Sequence, residues 1–209
     1  MQLLVNIRGT NGAGKSTIPM SMLKDEKLEI IGVGSKVQRG KDVPTHPFLT
    51  VFHSFCWVAL GTYHNKTGGM DTFQTTEMTK EALEYAWVHY PDYDILMEGI
   101  IASTIRSTYT NLFHDYRDRV KHRMINPRKI LIVNFLPPLE VCLERVQQRN
   151  NGKAINELAV ASKWRTVDRN ADHFKSEGFD SIKVNNSKTK KEDMLMKFLN
   201  LCDKHREGK

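Results

Sequence analysis

Cysteine is scarce: Cys56, Cys142 and Cys202 are the three in 209 residues, and no C-x-x-C pair or His/Cys grouping has metal-ligand spacing. That excludes a disulfide framework and a thiolate metal site, and leads to the expectation of reduced thiols in a cytoplasmic protein. Long apolar runs are missing too. No stretch approaches the roughly 18 uncharged residues of a membrane span, and no basic segment followed by an apolar one opens the chain, so a soluble, unprocessed protein without a membrane partner is expected. Repeats and low-complexity segments are absent. Acidic residues are outnumbered, 24 Asp and Glu against 31 Lys and Arg, for a formal net charge of +7. Such a balance favours a polyanionic partner, though enzymes that bind small phosphates are often basic as well. The length and an apolar share of 40% suit one compact domain, 1–209.

What is present is concentrated near the start. Gly9-Thr10-Asn11-Gly12-Ala13-Gly14-Lys15-Ser16-Thr17 fits G-x-x-x-x-G-K-[ST] and follows the apolar run Leu3-Leu4-Val5-Asn6-Ile7. Strand, loop and helix in that order make a phosphate cradle. Glycines let the backbone turn tightly so that its N–H groups face phosphate oxygens, and the next helix offers its positive end. Lys15 then belongs on the β/γ-phosphates and the Ser16 hydroxyl on Mg²⁺, with ATP as the nucleotide.

Further along, the pattern predicts strands at 2–8, 28–33, 93–99, 129–136 and 179–184, with one or two more between Phe48 and Tyr63. Helices are expected at 15–24, 74–89, 103–120, 139–150 and 156–175, and a basic amphipathic one at the end. Pro19 falls one turn into the first helix, and 35–47 reads as a loop. Gly68-Gly69-Met70-Asp71-Thr72 either brings Asp71 to a ligand or is a turn in which Asp71 caps the helix starting near Thr75. Asp94-Ile95-Leu96-Met97-Glu98-Gly99 puts Glu98 at the carboxyl edge of a parallel sheet, where such a group holds a metal or takes a proton. Ser103 is the expected cap of the next helix, with Arg106 near its start. Arg117, Arg119, Lys121, Arg123, Arg128 and Lys129 form a basic stretch, either a solvated helix end or a nucleic-acid contact. Arg145, Arg149, Lys163, Arg165 and Arg169 flank the break at 150–153, which suits a helical lid over a triphosphate at about 145–170.

Together, the cradle, the Glu98 strand end, the Pro137-Pro138 strand end and the arginine-bearing helix resemble the P-loop kinases of small nucleotides and polynucleotides. That resemblance implies a three-layer α/β P-loop NTPase fold, its mostly parallel sheet covered by helices on both faces. Val5 to Thr17, Leu60-Gly61-Thr62-Tyr63 with Gly68 to Thr72, and Glu98-Gly99-Ile100-Ile101-Ala102-Ser103 are similar to bacteriophage kinases that phosphorylate 5-hydroxymethyluracil bases in DNA. The resemblance implies transfer of the γ-phosphoryl group of ATP to a base hydroxymethyl oxygen, with modified DNA as partner. Lys15 and the loop amides would hold ATP, Ser16 and Glu98 would place Mg²⁺, Asp71 would accept the hydroxyl proton, and Arg145 and Arg149 would stabilise the transition state, with Asp71 and Glu98 able to exchange roles. A kinase of free nucleosides or nucleoside monophosphates, one acting at polynucleotide 5′ ends, and a non-kinase ATP-dependent binding module are the competing readings.

Overall fold

The structure is a computed structural model, and it describes residues 1–24, 27–33, 37–39, 43–45, 48–63, 68–73, 75–151 and 153–208. Its centre is β1 (Leu3–Gly9), buried along its whole length as a strand covered on both faces must be. Its side chains alternate between two cores. Leu3, Val5 and Ile7 face one, while Leu4 faces the other.

Five strands run parallel: β6 (Trp57–Leu60), β7 (Asp94–Glu98), β1, β8 (Lys129–Phe135) and β9 (Asp180–Val184), in that spatial order. β2 (Leu28–Gly32) and β5 (Phe48–Phe52) extend the sheet antiparallel beyond β6. The fold is thus α/β, with a mostly parallel sheet of the P-loop NTPase type. On one face pack α2 (Thr76–His89), α4 (Ser107–Lys121) and the Phe174 end of α6 (Glu157–Ser176). Against the other lie α1 (Thr17–Met22), Cys142 of α5 (Leu139–Arg149), Val160 of α6 and α7 (Met194–Arg206). From β1 the chain goes out to β2 at the sheet edge, returns through β5 and β6 to β7 beside β1, and then crosses to β8 on the other side, so the sheet switches direction at the carboxyl end of β1, where open α/β sheets bind ligands.

Several expectations change. Within 35–47 the structure has two short antiparallel strands, β3 (Val37–Arg39) and β4 (Val43–Thr45), where a loop was expected; residues 34–36, 40–42 and 46–47 lie outside the described ones. The helix expected at 103–120 is two, α3 (Ile100–Thr104) and α4. Ser103 therefore sits inside α3 and caps nothing: its hydroxyl donates to the Gly99 carbonyl and accepts the Gly9 amide. Asp71 does not cap α2 either, since the Thr75 side chain takes the Met78 amide. Pro19 raises no difficulty, because it occupies the first turn of the short α1, where an N–H has no intrahelical partner to lose.

Candidate active site

Residues 9–17 turn tightly between β1 and α1. Gly12 and Gly14 have φ of 78° and 90°, a region that L side chains rarely adopt. A Cβ on Gly12 would lie 2.3 Å from the Cys142 carbonyl oxygen, and one on Gly14 would lie 3.0 Å from the Asn186 amide nitrogen. The underside of the loop is braced from outside. Asn186 Nδ2 donates to Ala13 O at 2.8 Å, Arg145 Nη1 to Gly12 O at 3.4 Å, and Arg145 Nη2 to Asn186 O at 3.3 Å. Gly12→Ala is expected to lose at least tenfold in ATP affinity by calorimetry. It should also lower stability by at least about 1 kcal/mol, roughly 2–4 °C in melting temperature, because the obstacle is backbone that cannot rotate away.

At the far side of the loop, four groups meet in a nearly dry space. Lys15 Nζ donates to Thr10 O at 3.2 Å and lies 4.0 Å from Glu98 Oε1; Ser16 Oγ donates to the same oxygen at 3.1 Å. Glu98 is 2% exposed, and its Oε2 has no hydrogen-bond partner. Burial pushes the Glu98 carboxyl up to about 7, with Asp71 adding to the rise and Lys15 and Ser16 opposing it. Burial likewise holds the Lys15 ammonium below its usual value, against the pull of Glu98 and Asp71, while Arg149 adds to the lowering. The Tyr63 hydroxyl is also buried without a partner, and burial first, then Glu98 and Asp71, raise it well above the ordinary tyrosine range.

Close backbone crossings build this corner. A Cβ on Gly61 would stand 2.1 Å from Gly69 O, and one on Gly69 would stand 2.5 Å from Glu98 O and 2.8 Å from Glu98 Oε2. The bridge between Thr62 and Gly69 depends on that closeness. The turn Met70–Thr72 follows, and both carboxylate oxygens of Asp71 accept the Ile100 amide, at 2.7 and 2.8 Å. Asp71 is thereby fixed to the start of α3, two residues beyond Glu98.

The oxygens of Ser16 and Glu98 suit Mg²⁺, a hard cation that takes few protein ligands and keeps several waters, and the unpartnered Glu98 Oε2 leaves lone pairs for it. Among the described residues no three His, Cys, Asp or Glu side chains gather as a fuller metal site.

Of the sequence-nominated groups, the structure brings together Lys15, Ser16, Glu98 and Asp71 beside the 9–17 loop. Arg149 is exposed, near enough for its charge to act on Lys15. Arg145 spends its donors on loop carbonyls. Much of the basic stretch is engaged internally. Arg119 pairs with Glu84, Lys129 donates to His205 O, and Arg117 donates to Glu177 O. Arg128 is buried over the Trp87 ring and donates to Tyr90 O and Tyr93 O, which leaves exposed Lys121 and Arg123 at the end of α4.

Three site-adjacent residues were not nominated. Besides Tyr63 and Asn186, Arg8 is wholly buried just before the loop. Its guanidinium donates to Ser103 O at 2.7 Å and stacks 4.7 Å from the Phe174 ring, and burial lowers it to about 9. A cation inside a mostly apolar strand is a visible signal for Arg8; nothing in the sequence marks Asn186.

Against known proteins, the sequence profile of a family described as 5-hmdU DNA kinase matches residues 2–195. The chain belongs to that family. Its relatives among 5-hmdU DNA kinases include that of Bacillus phage SP10, 44% identical over 188 residues, which cover 88% of this chain and 27% of the relative. The 5-hmdU DNA kinase 1 of Salmonella phage ViI is 33% identical over 168 residues, 78% of this chain and 67% of that protein. The 5-hmdU DNA kinase of Pseudomonas phage M6 is 30% identical over 181 residues, 83% and 86% of the two. This 5-hmdU DNA kinase family member thus spans about a quarter of the SP10 relative's length. No helix among its described residues is long and apolar enough to cross a membrane.

Proposed function

We propose that this chain transfers the γ-phosphoryl group of ATP to the hydroxymethyl oxygen of 5-hydroxymethyluracil in DNA, as a single domain acting in the host cytoplasm. The observation that carries this is the meeting of buried Lys15 and Glu98 with half-buried Ser16 and Asp71 beside a glycine-built loop, in a chain of the 5-hmdU DNA kinase family. The amides of residues 9–17 and the Lys15 ammonium hold the triphosphate. Ser16 and Glu98 would hold Mg²⁺, which would offset the negative charge of the triphosphate. Asp71, its carboxylate fixed by the Ile100 amide, accepts the proton of the attacking hydroxyl. The new P–O bond forms on the hydroxymethyl oxygen as the bond to the β-phosphate breaks, and ADP leaves. Arg149, with Arg145 from its seat on the loop, offsets charge on the moving phosphoryl group. Closure of residues 145–170 as a lid excludes water.

The test is γ-labelled ATP with DNA containing 5-hydroxymethyluracil, digested to nucleosides and read by mass. Label on the internal modified nucleoside is expected. Label at 5′ ends, on free nucleosides alone, or only in inorganic phosphate would overturn the reading. Asp71→Asn keeps an oxygen for the Ile100 amide, so the fold should persist while turnover drops roughly a hundredfold. A normal rate with unchanged magnesium dependence would remove Asp71 as the base.

A further inference from the structure

Beside the Asp71 turn lies a cavity of about 330 Å³ that the donor half of the site does not use. Met70, Phe73 and Tyr109 give it an apolar and aromatic wall, and Thr76, Thr79 and Thr108 bring hydroxyl groups. Its volume falls at the low end of small-molecule pockets, roughly 300–1,000 Å³, which is room for one nucleoside and none for a duplex. Asp71 follows Met70 of the cavity wall in the same short turn, and its carboxylate is held at the Ile100 amide, two residues beyond Glu98.

The depth of the reacting groups matters as much. Asp71, which takes the hydroxyl proton in the kinase reading, is half-buried at the Ile100 amide, beside Lys15 and Glu98, which are 7% and 2% exposed. A 5-hydroxymethyl group on a stacked base projects only one carbon and one oxygen into the major groove, which is too short to meet groups enclosed in protein while the base stays paired. Entry of the whole base brings the hydroxymethyl oxygen the rest of the way.

The rim is suited to what a base leaves behind. Ile105 lines the same cavity at the α3–α4 junction and is 40% exposed, a large aliphatic side chain facing solvent. Next to it Arg106 is exposed, and exposed Glu77 lines the cavity as well. The Arg106 cation can hold the strand by a phosphate, and an aliphatic wedge can fill a gap in a base stack.

We propose that the Met70–Phe73–Tyr109 cavity is the acceptor subsite and takes a single pyrimidine extruded from the duplex, with its ring against the aromatic wall, its polar edge on the threonine hydroxyls and its hydroxymethyl group turned to Asp71. This rests on the kinase reading above. It differs from that reading in requiring that the target base leave the stack, at a cost of a few kcal/mol that weaker pairing reduces.

The experiment measures phosphorylation of one 5-hydroxymethyluracil in otherwise identical duplexes, placed opposite adenine, opposite a mismatched base, opposite an abasic site, and in a single strand. Extrusion is expected to make the mismatched and abasic duplexes at least tenfold better in kcat/KM than the paired one. In parallel, Thr108→Trp, at a half-buried position in the first turn of α4, fills the cavity. It should lose at least thirtyfold in kcat/KM for DNA while binding ATP as tightly as the parent, the latter also showing that the variant folds. Equal rates on all duplexes, or a Thr108→Trp enzyme that binds ATP and phosphorylates DNA normally, would overturn the subsite even if the base is phosphorylated. Absence of phosphorylation of every DNA by the parent would instead overturn the kinase reading.

Discussion

Replacing Lys15 with alanine is expected to reduce phosphoryl transfer roughly a thousandfold or more, with the protein still folded. Lys15 supplies the enclosed cation nearest Glu98, 4.0 Å from Oε1, in a space that excludes most water. A charge there acts through a low local dielectric, and losing one preorganised donor to a transition state costs about 10²–10³ in rate; Lys15 is charged as well. The fold should survive because little is left stranded: Thr10 O loses a donor, and Glu98, which Lys15 holds down, can keep its proton to higher pH. Single-turnover assays together with circular dichroism check this. A variant as active as the parent would remove the phosphate-cradle assignment.

Glu98→Gln is expected to lower turnover about 10²–10³-fold at pH 8, where the parent carboxylate is charged and able to hold Mg²⁺ with Ser16. Its effect on stability has the opposite sign. In the unfolded chain glutamate ionises near 4.5, while Glu98 in the fold keeps its proton to about 7. Between those values the folded state binds more protons than the unfolded one, so its stability falls as pH rises through the window, by roughly 3 kcal/mol in all. Glutamine cannot titrate. In buffer without nucleotide or divalent ions, the melting temperature of Glu98→Gln relative to the parent should therefore rise by roughly 6–12 °C between pH 5 and pH 8. Taking the difference cancels the other titrating groups, among them His205, lowered by burial and of opposite slope, and Asp94, raised by burial. A difference independent of pH would show that Glu98 titrates as an ordinary surface glutamate.

The loop at 9–17 was legible in the sequence because its chemistry is local: the glycines, the lysine and the hydroxyl are contiguous, and the flanking periods announce strand and helix. Glu98 was legible because an apolar run ending in a carboxylate has few other places to go. What escaped were pairings between segments distant in the chain. The sequence leaves Asp71 as either a ligand-facing group or the cap of the helix next to it, and in space the amide it takes belongs to Ile100, 29 residues on. The basic stretch looked free because Glu84, 35 residues before Arg119, and the carbonyls of Tyr90 and Tyr93 cannot be assigned to it without the fold. Asn186 braces Ala13 across 173 residues, a relation that no local pattern encodes.

The short run Glu98-Gly99-Ile100 does more than end a strand. One end carries the carboxylate that faces Ser16 and the other carries the amide that holds Asp71, so two peptide units join the two carboxylates. Bond lengths and planar peptides set that span, and breathing of the helices cannot stretch it. The strand end works as a fixed gauge: when the surroundings move, the Glu98 backbone and the amide that holds Asp71 move together.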